Sequence, residues 1–251
     1  MNDAKISTGR YSYLPGGFQY SAAVVVDPGH AMVRVRFSRV LSLAQGFERI
    51  KAHLASVGCP PEALCACELR SPGVMSEPEF RAFNLTYVEL LADMNLYRDG
   101  VNPVARCNLV PEVLRPPQPG VYAFSYVVPS QGEAGVPDFV TSGAAECPDR
   151  PGYRENIVRL GETTPQALGD KLRFALGDLE ARFATMGVSW ADATEMSLYT
   201  VHDLHHLVEQ ELVRRNAMAG GLCWHWVRPP VADIEIEIDA TDRLEHPGSN
   251  A

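Results

Sequence analysis

Arg106 is the residue of this 251-residue sequence whose setting most clearly suggests chemistry. It lies early in a predicted strand within segment 102–110, where Pro103 fixes the backbone at the entry. Its neighbours Ala105 and Cys107 are small, which leaves space for a ligand beside the guanidinium. An arginine on a rigid strand can bind a carboxylate through two parallel hydrogen bonds. From this stretch alone, a structural salt bridge is the alternative.

An acidic strand near the end of the chain could supply the proton chemistry. Glu235, Glu237 and Asp239 alternate with three isoleucines, so the acids share one face of a predicted strand. A solvated face is the alternative for all three acids. Asn108 lies two residues after Arg106 and therefore on the same strand face, where its amide could bind a substrate amine or a water.

Further polar residues have two interpretations each. Arg228 precedes two prolines and could bind a second carboxylate, or form a salt bridge; Arg70 has the same alternatives. His225 could line a pocket or oppose two packed tryptophans. His202 and His206 are four apart, but no glutamate stands between them as in a zinc-hydrolase helix, so we expect no metal site.

Composition restricts the partners. The net charge is −9, and no lysine and arginine block is present, so nucleic acid is an unexpected partner. No apolar run approaches the roughly 20 residues that span a bilayer, and the N-terminal segment has no apolar core, so we expect no membrane contact and no signal peptide. The six cysteines contain no CxxC spacing, which favours reduced thiols and a cytoplasmic location.

The elements that must position these residues form two similar series. The first has strands at 18–27 and 31–37, a helix over 42–58, a strand at 64–69, a helix beginning after Ser76, the arginine strand and a strand at 121–128. A Gly/Pro-rich linker follows at 130–137. The second has a strand at 138–143, a helix from Thr164 to Gly187, a strand at 194–201, a helix at 203–217, and strands at 222–228 and 233–240.

This recurrence predicts a tandem duplication with an α+β fold. The predicted domains are residues 1–130 and 131–251, each a mixed sheet backed by two helices. The linker between them is the clearest boundary in the sequence.

Several short motifs occur in a specific order. The first half contains Phe80-x-x-Phe83-Asn84-x-x-Tyr87 and Pro103-Val104-Ala105-Arg106; the second contains segments 140–143, 199–203 and 236–240. This ordered set resembles the Rid (YjgF-type) imine/enamine deaminase family, once per half. Segments 67–70, 102–106 and 227–231 further resemble a two-domain branch linked to 2-aminomuconate deaminases of aminophenol and nitroarene breakdown.

The resemblance implies a chorismate-mutase-like fold and a hydrolytic deaminase that needs neither metal nor organic cofactor. It implies that Arg106 binds a substrate carboxylate, that Ser142 and Gly143 help to bind the substrate, and that Glu237 activates water or carries a proton. The sequence departs from the family motif, because Val104 interrupts Pro-Ala-Arg and the second half lacks the arginine. We therefore expect one composite site, in which Arg106 faces Ser142 and Gly143.

Two other functions stay open at this point. A chorismatase, which also resembles paired Rid-like domains, would release pyruvate from chorismate. A non-catalytic protein would bind a small molecule without turnover. The resemblance also implies a small-molecule carboxylate as substrate and self-association of the chain, with a trimer favoured.

Overall fold

The computed structural model of the protein describes residues 5–131 and 136–245. Its strands are β1 (Ile6–Ser7), β2 (Tyr11–Leu14), β3 (Ala23–Val26), β4 (His30–Ser42), β5 (Leu64–Arg70), β6 (Ala105–Pro111), β7 (Gly120–Pro129), β8 (Phe139–Thr141), β9 (Ala144–Ala145), β10 (Glu195–Tyr199), β11 (Leu222–His225), β12 (Val227–Arg228), β13 (Glu237–Asp242) and β14 (Leu244–Glu245). Its α-helices are α1 (Leu43–Ser56), α2 (Glu77–Asp93), α3 (Tyr153–Asn156) and α4 (Pro165–Met186).

The strands form two mixed sheets. Sheet I has the order β1-β2-β3-β8-β13-β10-β11, with β9 also paired to β13, and sheet II has the order β12-β6-β5-β7-β4-β14. Helices α1 and α2 pack on sheet II, and α4 packs on sheet I. The predicted α+β class with helix-backed mixed sheets is confirmed.

Strand pairing crosses residue 130 in both directions. Strands β2 and β3, from the start of the chain, belong to sheet I through the pairing of β3 with β8. Strands β12 and β14, from the second half, pair with β6 and β4 of sheet II. Each sheet therefore contains strands from both predicted domains. The division at 130 stays a prediction, and residues 132–135 of the linker lie outside the described residues.

The three long helices begin where the sequence places their capping residues. The Ser42 side chain accepts a hydrogen bond from the backbone of Gln45 at the start of α1, and Thr164 caps α4 in the same way. Glu79 accepts from the Ser76 backbone in a capping box before α2. Gly187 ends α4 in the left-handed conformation at φ 81°. Among the described residues, no helix is long and apolar enough to cross a bilayer.

The predicted helix over 203–217 is helical in part, but it is not an α-helix. That segment forms a 3₁₀ turn at His205–Leu207 followed by a π-helical segment at Val208–Val213. Its buried apolar residues Leu207, Leu212 and Ala217 recur every five residues, and the Ala217 amide donates to the Leu212 carbonyl. Five-residue spacing suits the wider π turn, which brings all three side chains to the core.

The predicted strand over 233–240 begins only at Glu237. The preceding amides of Glu235 and Ile236 donate to the carboxylate of Glu146 at 2.6 and 2.9 Å instead of to a neighbouring strand. Glu146 is fully buried and pairs with the equally buried Lys171 at 3.2 Å. This internal ion pair therefore delays the start of the strand and fixes the segment that leads into Glu237.

Candidate active site

A cavity with about 530 Å³ of empty space lies where β6 of sheet II meets β8 and β13 of sheet I. The two sheets are hydrogen-bonded to each other beside it, since the Gly143 amide donates to the Arg106 carbonyl at 3.3 Å. Its lining comes from both halves of the chain: Tyr20, Phe80, Arg106, Asn108, Gly143, Ala145, Cys147, Asp149, Tyr153, Arg182, Pro230, Val231, Ile234 and Glu237. The cavity is therefore composite, as the sequence predicts.

Arg106 is a buried cation with a neutral partner. Its side chain is only 4% exposed, and Nη1 donates to Oδ1 of Asn84 at 2.7 Å. Four aromatic rings surround the guanidinium at 5.0 to 5.9 Å: those of Tyr20, Phe80, Phe83 and Tyr87. Within the described part of the chain, no carboxylate forms an ion pair with it. A buried charge without a counter-charge is costly, so this site favours an anionic ligand.

Glu237 faces Arg106 across the cavity from the first position of β13. Its carboxylate packs so closely against the backbone of Gly143 that a Cβ at position 143 would overlap it. Position 143 therefore requires glycine, because the Glu237 carboxylate lies too close for a side chain there. The glycine also leaves its backbone accessible to the cavity.

The pKa of Glu237 is raised to about 8, chiefly by burial and then by the nearby carboxyl of Asp239, while Arg106 and Arg182 act in the opposite direction. The side chain is therefore protonated at neutral pH. A buried carboxylic acid of this kind can donate a proton and afterwards accept one, which suits general acid–base chemistry near pH 7.

Asn108 presents an unused donor to the same cavity. Its Oδ1 accepts a hydrogen bond from the Ser71 hydroxyl at 3.0 Å, which fixes the orientation of the amide. Its buried Nδ2 has no partner among the described residues. An unpaired buried donor costs free energy, so Nδ2 is available to a ligand oxygen.

The Ser142 hydroxyl is occupied by the backbone. It donates to the Ser21 carbonyl at 2.6 Å and accepts from the Arg106 amide at 2.8 Å. Ser142 does not line the cavity. The structure therefore places this predicted substrate-binding residue behind Arg106, where it fixes the backbone that carries the guanidinium.

Three predicted substrate-binding residues lie away from the cavity. Arg228 pairs with Glu112 at 2.7 Å, and the Arg70 guanidinium stacks over the Tyr122 ring at 4.2 Å. His225 packs against Tyr199 at 5.0 Å between ring centroids. None of the three lines the cavity that holds Arg106 and Glu237.

The histidines considered for metal binding have other contacts. His202 pairs with Glu235 at 2.7 Å, and His205 with Asp203 at 2.7 Å. Across residues 5–131 and 136–245, no group of three or more His, Cys, Asp and Glu side chains could hold a metal ion.

Two charged residues of the cavity escaped the sequence analysis. Arg182 donates to the Ser142 carbonyl at 2.7 Å and pairs with Asp178 at 2.6 Å. Asp149 accepts hydrogen bonds from the Gly17 amide and the Tyr153 hydroxyl, both at 3.2 Å. A signal existed for Arg182, because it falls among the buried residues of α4. Asp149 lies in a loop, where no sequence periodicity predicts which way its side chain points.

Comparisons with known proteins identify relatives of this chain. Residues 4–244 match the family model described as 2-aminomuconate deaminase CnbZ. A 2-amino-5-chloromuconate deaminase from Comamonas testosteroni is 42% identical over 243 residues, which is 95% of this chain and 96% of the relative.

Solved structures show likeness at lower identity. A chorismatase crystal structure is 12% identical, with a TM-score of 0.50, over 94% of this chain and 78% of the chorismatase; this likeness concerns the fold alone. The YjgF gene product of E. coli is 18% identical, with a TM-score of 0.31, over 42% of this chain and 80% of its own. The predicted relationship to the two-domain deaminase branch is confirmed by the family model and the Comamonas relative, and the chain belongs to the 2-aminomuconate deaminase CnbZ family.

Proposed function

We propose that this protein is a hydrolytic deaminase of 2-aminomuconate-type enamine acids. The observation that carries the proposal is the shared cavity of Arg106, a buried cation without a counter-charge, and Glu237, a buried acid protonated at neutral pH. One group binds a carboxylate and the other carries the proton. The relative from Comamonas, named for a chlorinated 2-aminomuconate, supports this substrate class.

Binding begins with the carboxylate next to the amino-bearing carbon. Arg106 takes this group, because its remaining N–H donors are free and no carboxylate among the described residues forms an ion pair with it. The surrounding rings exclude water and strengthen the charge-assisted bonds. The Gly143 backbone limits how closely the ligand can approach Glu237.

The first chemical step is tautomerisation of the enamine. The electron pair of the enamine double bond takes the proton of Glu237 to form a new C–H bond, and the nitrogen lone pair forms a C=N⁺ bond. Glu237 becomes a carboxylate opposite an iminium ion. The positive iminium ion stabilises the newly formed carboxylate of Glu237, so the two charges form a favourable ion pair in the buried cavity.

Hydrolysis then returns the proton to Glu237. The carboxylate removes a proton from a water whose oxygen attacks the iminium carbon, and a carbinolamine forms. Glu237 next protonates the nitrogen as the C–N bond breaks, and the hydroxyl proton of the carbinolamine returns to Glu237 as the carbonyl forms. The net reaction is enamine plus water giving ketone plus ammonia. Nδ2 of Asn108 holds the incoming oxygen through this step.

The reaction so written needs no cofactor, because protonation and water addition are both within reach of a carboxylic acid. The test is ammonia release from a panel containing 2-aminomuconate and 2-aminoacrylate, with pyruvate release from chorismate measured in parallel. The proposal expects ammonia from the enamine acids well above the rate without protein. Pyruvate from chorismate would favour the chorismatase alternative, and no turnover of any substrate would favour a non-catalytic binding protein.

The proposal also includes a cytoplasmic location and self-association of the chain. A cytoplasmic location is supported by six cysteines that are all free thiols. Self-association, with a trimer favoured, remains a prediction. Light scattering after size-exclusion chromatography tests it, and a monomer at micromolar concentration would contradict it.

A further inference from the structure

A second cavity, with about 690 Å³ of empty space, adjoins the first and has no role in the reaction described above. We call it the outer cavity. Phe80, Asp149 and Tyr153 line both cavities, and Asn84, which holds the Arg106 guanidinium, lines the outer one. The two cavities are therefore adjacent spaces separated only by these side chains.

The outer cavity contains an arginine without an acidic partner. The Arg81 guanidinium lies over the Phe18 ring at 5.3 Å and forms no ion pair among the described residues. Glu77, one turn earlier on α2, is not available to it, because its two carboxylate oxygens accept the amides of Gly152 and Tyr153 at 2.8 and 3.1 Å. The Arg81 guanidinium therefore lines the cavity without an acid bound directly to it.

The other acids and bases of this region have partners. Asp149 accepts hydrogen bonds from Gly17 and Tyr153, and Arg150 donates to Asn156. In the inner cavity, Arg182 is paired with Asp178. Among the described arginines that line these cavities, Arg81 is thus the one with neither a hydrogen-bond nor an ion-pair partner, since Arg106 and Arg150 each donate to an asparagine.

The two adjoining cavities suit an extended dicarboxylate. Arg81 and Asn84 are three residues apart on α2, so they share a helix side. Asn84 holds the Arg106 guanidinium, so Arg81 lines the outer cavity beside the residue that fixes Arg106 in the inner one. A six-carbon chain with a carboxylate at each end separates its carboxyl carbons by roughly 6 Å, from five carbon–carbon bonds of about 1.5 Å in a zigzag.

We propose that Arg81 binds the distal carboxylate of a six-carbon dicarboxylate whose reacting end is held by Arg106. This subsite rests on the proposed function and specifies it further: it selects dicarboxylates over enamine acids with one carboxylate. Phe80, which lines both cavities, packs along the apolar middle of the chain. Arg81 acts on binding and contacts none of the reacting atoms.

Binding of two unreactive acids tests the subsite. Muconate carries both carboxylates, and sorbate has the same six-carbon diene with one. Isothermal titration of the full-length protein is expected to give a dissociation constant at least about tenfold lower for muconate than for sorbate. In Arg81→Gln the preference is expected to vanish through weaker muconate binding, with sorbate binding unchanged. Arg115→Gln, at a surface arginine outside both cavities that pairs with Glu112, keeps the preference.

Several outcomes would overturn the subsite: an unchanged preference in Arg81→Gln, an equal loss in Arg115→Gln, or a wild-type protein that binds muconate no better than sorbate. Arg81 is exposed on the helix surface, so its substitution leaves the core intact. Ammonia release by the wild-type protein is measured on the same preparation. Release together with an unmoved preference refutes the subsite alone, whereas absent release refutes the proposed deaminase.

Discussion

The buried acid Glu237 makes the stability of this protein depend on pH in a predictable direction. In the folded protein the carboxyl keeps its proton up to a pH of about 8, whereas in the unfolded chain it ionises near its ordinary pKa of 4.5. Below pH 4.5 both states hold the proton, and the group does not affect the free energy of unfolding. Between pH 4.5 and 8 only the unfolded state releases it, so stability falls as pH rises.

The magnitude follows from the linkage relation. Each pH unit between the two pKa values lowers the free energy of unfolding by about 1.36 kcal/mol, so at pH 7 Glu237 costs about 3 kcal/mol. Glutamine has a similar shape and cannot ionise. Glu237→Gln is therefore expected to be about 3 kcal/mol more stable than the wild type at pH 7 and equally stable near pH 4.5.

Urea denaturation at pH 5, 6, 7 and 8 measures this difference. Asp239, whose pKa burial raises to about 7, is present in both proteins and interacts with Glu237, so the difference between the two proteins measures Glu237 together with its coupling to Asp239. Glu209→Gln, at an exposed carboxylate, serves as control and keeps the wild-type profile. Equal slopes for the wild type and Glu237→Gln would refute the buried protonated acid. The stabilised variant is also expected to lose roughly 10²-fold or more in kcat.

Three further predictions follow from contacts around the site. Gly143→Ala places a methyl group against the Glu237 carboxylate, and we expect a fall of about tenfold or more in kcat with retained circular dichroism; wild-type kinetics would contradict the close approach. Lys171→Met leaves Glu146 buried without its partner, and we expect urea denaturation to show a free energy of unfolding lower by about 3–5 kcal/mol. The double variant that adds Glu146→Gln is expected to recover part of this loss. An unchanged urea midpoint in Lys171→Met would show that the ion pair is dispensable. Asn108→Ala removes the unused donor, so we expect a fall of about tenfold in kcat with a stability change of about 1 kcal/mol, and a stability loss with normal kcat would assign the amide a purely structural role.

The sequence was informative where one short motif determines one local structure. The serine and threonine caps at 42, 76 and 164 predicted the helix starts, and Pro103 with its flanking residues predicted the strand of Arg106. The combined positions of Arg106, Gly143 and Glu237 in one cavity also agree with the predicted composite site. These features depend on backbone preferences and on the order of motifs along the chain.

Features that depend on distant partners were not predictable. Lys171 lies on a helix with ordinary amphipathic spacing. Nothing near it in the sequence indicates that its side chain is buried as the ion-pair partner of Glu146. Glu146 also binds the amides of Glu235 and Ile236, so the predicted strand begins only at Glu237. Ser142 resembles a ligand-binding serine in sequence. In the structure its hydroxyl is hydrogen-bonded to the backbones of Ser21 and Arg106, and only folding brings these two segments together.

The outer cavity illustrates the same limit. Arg81 has the sequence context of a surface helix residue, and Arg228 and Arg70 were the arginines predicted for a second carboxylate. Strand pairing places Arg228 and Arg70 away from the cavities. Arg81, in contrast, lies one turn of α2 before Asn84, which holds the Arg106 guanidinium. Long-range topology decides which of several arginines meets a ligand.

The central claim is that Arg106 binds the carboxylate of the substrate in a deaminase site. The most direct test is kcat/KM for ammonia release from 2-aminomuconate by Arg106→Ala, compared with Arg228→Ala, which removes an arginine that lies outside the cavity. Loss of a charge-assisted pair of bonds predicts a fall of at least about 10²-fold for Arg106→Ala and a value within about twofold of the wild type for Arg228→Ala. Unchanged kcat/KM in Arg106→Ala, with the protein folded, would contradict the account.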